Sequence, residues 1–428
     1  MTLWLYRLLL WLSLPLVIYS GWKRCRKAQD PATPIIDCFR SRFGFNRQPF
    51  KTGGIWIHAV SVGETRSIFP LLKQLKRDYP NLPITLTSGS TQGALQALKF
   101  APVEIQHQMI PYDYPFAVTR FLKQIQPKLV IMIETEIWPN LYQACSKQAI
   151  PLILANARLK QKSYLSYQKW GGTLVRNALN QTQLIAAQFE VDHQHFISLG
   201  AQPQRVKTLG NIKFDIELEP GLVEQAQDWK NKQQLNERFI WVAASTHAGE
   251  ETLMWQAHQQ LLQQQPNALL ILVPRHADRF AEVAKQLQDQ SIQFSQRSLN
   301  QHITPQTQVY LADSVGELML WFAAADVAFI GGSLVNFGGH NILEPAALAK
   351  PVISGIYHQN LAALYDSFKQ DKAVIIVKDP QQLGEQLGQL SQSSALRQQT
   401  GKQAHQCFLK QTGALDRLMQ QIQPLLKT

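Results

Sequence analysis

From residue 54 onward the chain alternates short, nearly unbroken apolar runs with stretches of helical periodicity. IWIHAV (55–60), PITLTS (83–88), KLVIMIE (128–134), PLILANA (151–157) and LIAA (184–187) read as buried strands. Between them, Ile68, Leu71, Leu72 and Leu75, and then Ala94, Leu95 and Leu98, fall at helical spacing. Pro70 is a misfit inside the first of these helices. A second series begins near residue 239 with FIWVAAS (239–245), ALLILVP (268–274), VYLAD (309–313), VAFIGG (327–332), PVISG (351–355) and AVIIV (373–377). Strand–helix alternation gives a parallel sheet covered on both faces, and here it occurs twice. The tetrapeptide SVGE, at 61–64 and 314–317, follows a strand and opens a helix in both series. The expectation is an α/β chain of two Rossmann-like, doubly wound domains facing a cleft, with ligands at the carboxyl ends of the strands. The polar stretch 215–237 sets the boundary, giving domains 23–215 and 216–428 behind an N-terminal segment, 1–22.

That segment, LWLYRLLLWLSLPLVIYS (3–20), carries one charge, Arg7. As a helix it is about 27 Å long, just short of a ~30 Å hydrocarbon core; it either spans or lies in the interface. Between Gly21 and Lys51 follow eight basic residues (Lys23, Arg24, Arg26, Lys27, Arg40, Arg42, Arg47 and Lys51) and two acids, Asp30 and Asp37. This +6 is half of the net +12 left by 42 Lys and Arg against 30 Asp and Glu. Positive charge after the apolar run, with no small-residue cleavage site, fits a membrane anchor better than a signal peptide. It places the body on the cytoplasmic side, against anionic lipid. Nucleic acid is a poor partner, because the charge clusters beside the anchor and no binding motif accompanies it. An apolar share of 45% excludes disorder, and a mean hydropathy of −0.17 excludes a polytopic membrane protein. Cys25, Cys38, Cys145 and Cys407 form no CxxC pair and read as reduced thiols.

Several residues at strand ends carry chemistry. Glu64 closes the turn HAVSVGE; it is either a helix-capping carboxylate or a general base for a hydroxyl. Glu134 and Glu136 follow the strand 128–134, and Lys213 sits near the boundary in GNIKFD. In the second half, Pro274, Arg275 and His276 end a strand, where an arginine suits a phosphate or carboxylate. The run FIGGSLVNFGGHNILEPAALAKPVISG (329–355) joins two Gly-Gly turns to a helix expected from Asn341, whose start would hold phosphate. Glu344 is either a partner of that helix's dipole or a ligand for ribose hydroxyls. This assembly is similar to the nucleotide-sugar site of two-domain GT-B glycosyltransferases.

Taken in order, HAVSVGET, PITLTS, PYDYPFAVTRFL, ETEIWPN, ANARL, GNIKFD, STHAGEE, LVPRH, GELML and GGSLVNFGGHNILEPAA resemble the bacterial 3-deoxy-D-manno-octulosonic acid (Kdo) transferases of lipid A synthesis. The likeness runs to about residue 355 and is loose over the last seventy residues. It implies a GT-B fold and transfer of Kdo from CMP-Kdo to a lipid A precursor, lipid IVA, at the cytoplasmic face of the inner membrane, with inversion and with no cofactor or metal. By the resemblance Glu64 is the base, and Glu134 and Lys213 stabilise the transition state. Pro274, Arg275, Val315, Gly316, Glu317, Asn341, Ile342, Leu343 and Glu344 contact CMP. The rival readings are a GT-B transferase or epimerase using another nucleotide sugar, and an inactive membrane-tethered nucleotide-sugar-binding protein.

Overall fold

A computed structural model describes residues 1–27, 35–45, 49–216 and 218–427. Of the expected basic collar, Asp30 and Arg47 and the side chain of Lys27 lie outside the described residues. The chain divides into two compact units, Met1–Asp215 with Thr412–Thr428, and Ile216–Gln411.

The first unit holds seven parallel strands: β1 (Ile55–Ala59), β2 (Ile84–Ser88), β3 (Gln106–Met109), β4 (Leu129–Ile133), β5 (Leu152–Ala157), β6 (Leu184–Ala187) and β7 (Val206–Thr208). Their order is β3-β2-β1-β4-β5-β6-β7. Strands β1, β2, β4, β5 and β6 are buried throughout, as β-branched runs between two helical layers must be. The winding reverses between β1 and β4, which pair directly, Ile55 opposite Leu129. Pro70 finds its explanation in a break. The expected single helix is two, Val62–Ser67 and Phe69–Asp78. The proline occupies the first turn of the second, where its missing N–H has no partner to lose.

The expectation that the second domain runs to the C-terminus is corrected. The helix Ala414–Leu426 turns Leu415, Leu418, Met419 and Ile422 into the core of the first unit, against one face of its sheet. Asp215 fixes its start by accepting from Gly413 N–H and Leu415 N–H, both at 2.5 Å. Leu418 is 1% exposed, so Leu418→Ala should cost about 2–5 kcal/mol, read as a lowered urea midpoint. The polar boundary stretch is also more than a connection. It forms the helix Leu222–Lys232, whose Trp229 packs on Tyr310 and Trp321 of the second unit.

The second unit repeats the plan with β8 (Ile240–Thr246), β9 (Leu269–Pro274), β10 (Phe294–Gln296), β11 (Val309–Leu311), β12 (Val327–Ile330), β13 (Val352–Gly355) and β14 (Ile375–Val377). The order is β10-β11-β9-β8-β12-β13-β14, all parallel, with the reversal between β8 and β12.

Two further expectations change. Cys25 and Cys38 are joined in a disulfide because the end of the helix Leu3–Lys27 lies beside the short helix Ile35–Ser41; Cys145 and Cys407 are free and buried. Arg42 is not part of an exposed collar. It is buried, donates to the carbonyls of Ile110 (3.3 Å) and Gly89 (2.6 Å), and burial brings its pKa down to about 10.

Candidate active site

In doubly wound sheets the reversal of strand order opens a crevice at the carboxyl ends, and ligands bind there. In the first unit the residues leaving β1 and β4 at that point are Glu64, Glu134 and Glu136. Ser61 caps the helix Val62–Ser67, its hydroxyl accepting from Glu64 N–H. The Glu64 carboxylate turns back: Oε2 accepts from Val60 N–H at 2.7 Å and Oε1 from the Ser61 hydroxyl at 2.8 Å. This is a variant of the capping box in which Glu64 takes the N–H of Val60 in place of that of the N-cap Ser61, so the structural role weighed for Glu64 is real. A carboxylate has about four lone-pair sites, so two remain. Burial raises the Glu64 pKa; the two hydrogen bonds oppose this, while the charges of Glu134 and Glu136 add to it, leaving it above the ordinary carboxylate value.

Glu134 stands in the left-handed region, φ 63°, a conformation costing a non-glycine residue of order 1–2 kcal/mol and concentrated at functional sites. Its Oε1 lies 2.5 Å from Lys213 Nζ. Lys213 is brought there by a 3₁₀ turn, Ile212–Phe214. That turn is fastened by Asn211 Oδ1 accepting from Lys213 N–H and Asn156 Oδ1 accepting from Ile212 N–H. The stretches ANARL and GNIKFD therefore meet, and each contributes an asparagine to placing the lysine. Glu136 accepts from the Trp138 indole N–H at 2.6 Å, and its Oε2 is 3.7 Å from Nε2 of the fully buried His58. Burial would raise its pKa, but His58 and Trp138 more than offset that and hold it below the usual value.

In the second unit, β9 ends at Pro274, and Arg275 N–H donates to the Thr246 carbonyl, leaving an exposed guanidinium. Beside it, burial pushes the Glu344 carboxyl up to about 6, with Arg275 opposing. His247 and His340 lie Nε2 to Nε2 at 2.8 Å, stacked with Phe337 on His247. Burial and the nearby Arg275 lower both pKa values, that of His340 to about 4, so the imidazoles are neutral near pH 7. The helix expected from Asn341 is shorter than anticipated, Leu343–Ala347, with Pro345 within it. Asn341 Oδ1 instead accepts from Leu343 N–H, and Ile342 and Leu343 are buried. Val315 is exposed and Gly316 takes φ 92°, a turn that favours glycine. In this second SVGE the helix starts later, with Glu317 itself as the N-cap of Leu318–Ala324, and Glu317 accepts from the Ser314 hydroxyl. Unlike Glu64, it is held by both arms of Arg297, at 2.8 and 3.0 Å.

Sequence reasoning missed the residue that builds the glycine turn. Glu250, fully buried, accepts from the N–H groups of Gly332 (2.6 Å), Ser333 (3.1 Å), Leu334 (3.0 Å) and His247 (3.3 Å). Its neighbour Glu251 holds Arg279 through two bonds, 2.7 and 3.1 Å. Two adjacent acids just after a strand, in STHAGEE, were the available signal. A side chain at Gly331 would meet the Ser245 carbonyl, its Cβ falling 2.6 Å from that oxygen; only glycine lets this loop approach β8 so closely.

The family described as 3-deoxy-D-manno-octulosonic-acid transferase (kdotransferase) matches residues 37–216. The 3-deoxy-D-manno-octulosonic acid transferase of Haemophilus influenzae is 38% identical over 393 residues, covering 90% of this chain and 91% of that protein. Among solved structures, a glycosyltransferase from Rickettsia africae aligns over 89% of this chain and 100% of its own, with TM-score 0.57 and 12% identity. The UDP-GlcNAc 2-epimerase of Neisseria meningitidis aligns over 88% and 100%, with TM-score 0.56 and 15% identity. These two likenesses establish the GT-B fold, which transferases and epimerases share; the sequence identity separates them. The chain belongs to the 3-deoxy-D-manno-octulosonic acid transferase family of glycosyltransferases.

Proposed function

We propose that the protein transfers Kdo from CMP-Kdo to a hydroxyl of a lipid A precursor, lipid IVA, with Glu64 as general base and inversion at the anomeric carbon. The hydroxyl gives its proton to Glu64 as its oxygen attacks the anomeric carbon. The bond from that carbon to the phosphate oxygen breaks, and CMP leaves. The observation that carries this reading is the contrast between the two SVGE turns. Both glutamates accept from the hydroxyl of the serine three residues before them, but Glu317 is neutralised by Arg297, whereas Glu64 meets two further carboxylates and, among the described residues, no ion-pair partner. Capping alone needs no such surroundings. A base working near neutral pH is served by a raised pKa.

The Glu134–Lys213 pair supplies a fixed cation for charge that builds up on the donor carboxylate and leaving phosphate, with two of the lysine's three donors still free. Arg275 and the turns at Val315–Glu317 and Asn341–Glu344 serve the nucleotide. The apolar helix and the exposed Lys23, Arg24, Arg26 and Arg40 hold the enzyme at the cytoplasmic face of the inner membrane, where its acceptor lies.

The test of the donor is thermal stabilisation. At a hundredfold excess over its dissociation constant, CMP should stabilise the second unit by about 2.7 kcal/mol; UDP and GDP should do less. Stabilisation by UDP alone would sink the Kdo reading. Mass spectrometry of the product formed from CMP-Kdo and lipid acceptor decides the acceptor.

A further inference from the structure

We propose that the helix Leu3–Lys27 lies in the plane of one leaflet and does not cross the bilayer, and that the segment Gln161–Gly171 extends the same lipid-facing surface. The helix is fastened to the first unit along its whole length. Near its start, the Met1 carbonyl accepts from Leu174 N–H (3.0 Å) and the Thr173 hydroxyl (3.2 Å). One turn further, the Tyr6 hydroxyl donates to Asp113 Oδ2 at 2.9 Å, and Arg7 donates to Asn140 Oδ1 and Gln143 Oε1, both at 2.7 Å. The Tyr114 hydroxyl donates to the Leu10 carbonyl at 2.9 Å. Gly21 packs so closely that a Cβ there would fall 2.6 Å from the Tyr112 hydroxyl, and Cys25 is bonded to Cys38.

The contacts made by the helix itself, from Tyr6 to Cys25, span about 28 Å, nearly the whole of the ~30 Å hydrocarbon core. A crossing helix would therefore carry its partners to nearly every depth of the bilayer. Among them is Asp113, which also accepts from Asn140 N–H and Leu141 N–H at the start of the helix Pro139–Lys147. Charged and polar groups at that depth are costly. Arg7, the lone charge of residues 3–20, strains a spanning helix and is here a clasp with both partners on the body.

The opposite flank is dressed for lipid. Leu12, Leu16 and Tyr19 recur at four- and three-residue spacing, Trp4 stands eight residues before Leu12, and each is about two-thirds to three-quarters exposed. Next to Met1 the exposed Leu165 and Trp170 continue the apolar surface, with Lys162 and Lys169 at its rim and the Lys169 ammonium 5.0 Å from the Trp170 ring. Lys23, Arg24, Arg26 and Arg40 are exposed at the far end. An apolar strip with aromatic residues and basic flanks fits the headgroup–acyl boundary of an anionic membrane.

The proposal rests on membrane association but not on Kdo transfer, and its test reads sidedness. In a chain with Cys25 and Cys38 replaced by serine, Cys145 and Cys407 remain buried, and a single cysteine is introduced as Thr2→Cys. A membrane-impermeant maleimide should modify it in inside-out vesicles, as it does a control Lys402→Cys, with loss of labelling in intact spheroplasts. Modification of Thr2→Cys from the spheroplast side overturns the in-plane helix. Separately, Trp170→Cys carrying an environment-sensitive fluorophore should shift to the blue on adding vesicles of phosphatidylglycerol and phosphatidylethanolamine. Unchanged emission removes Gln161–Gly171 from the contact surface. Either failure leaves the transferase reading standing.

Discussion

Glu64→Gln should lower kcat by about 10²–10⁴, the range contributed by a general base, while CMP stabilises the variant as it does the wild type. Glutamine keeps the shape of the side chain and one acceptor oxygen for the Val60 N–H or the Ser61 hydroxyl, so the turn survives and only proton acceptance is lost. The pH profile supplies an independent check. A base must be ionised to act, and burial together with Glu134 and Glu136 holds Glu64 above the ordinary carboxylate value. Transfer should therefore fall away on the acid side at a pH higher than that of an ordinary glutamate. Glu134→Gln removes one of the repelling charges and should shift that limb downward. Wild-type turnover by Glu64→Gln would take Glu64 out of the base role and leave it a helix cap.

Glu250→Ala should abolish the CMP-induced thermal shift and strongly destabilise the second unit. The substitution strips the acceptor from four backbone N–H groups at once, three of them in the turn Gly332–Leu334. Each buried donor left unpaired costs about 1–3 kcal/mol, though water entering the vacated space recovers part of it. With roughly 2–4 °C of melting temperature per kcal/mol for a unit of this size, the drop should be near ten degrees. Glu250→Gln retains one acceptor oxygen and should fall between. An alanine variant that melts and binds CMP like the wild type would show that the turn holds itself.

Much of the fold was legible because a parallel sheet buried on both faces writes itself as apolar runs. Every strand expected from such a run is present, within a residue or two. The strands that were missed, β3 (QHQM), β7 (VKT) and β10 (FSQ), lie at or beside sheet edges, where one flank is open and polar residues are tolerated. The capping of Glu64 was foreseeable from S-x-x-E; its acidic surroundings were not, because Glu134 and Glu136 arrive from a strand seventy residues away. Glu250 went unrecognised for a related reason. Three of its four partners are backbone groups some eighty residues downstream, and backbone donors leave no mark in a sequence. The disulfide was hidden because Cys25 and Cys38 belong to helices whose meeting no local spacing announces.

The helix Ala414–Leu426 has a consequence for how the molecule is made. It supplies Leu415, Leu418, Met419 and Ile422 to the first unit, yet the ribosome reaches it only after translating all of Ile216–Gln411. The half that carries the amphiphilic helix must wait, part of one side of its sheet uncovered, until that late segment emerges. In the interval a holdase or the lipid surface has an uncovered apolar face to shield, and nascent chains stalled before residue 414 should be conspicuously easy for a protease to cut within the first unit.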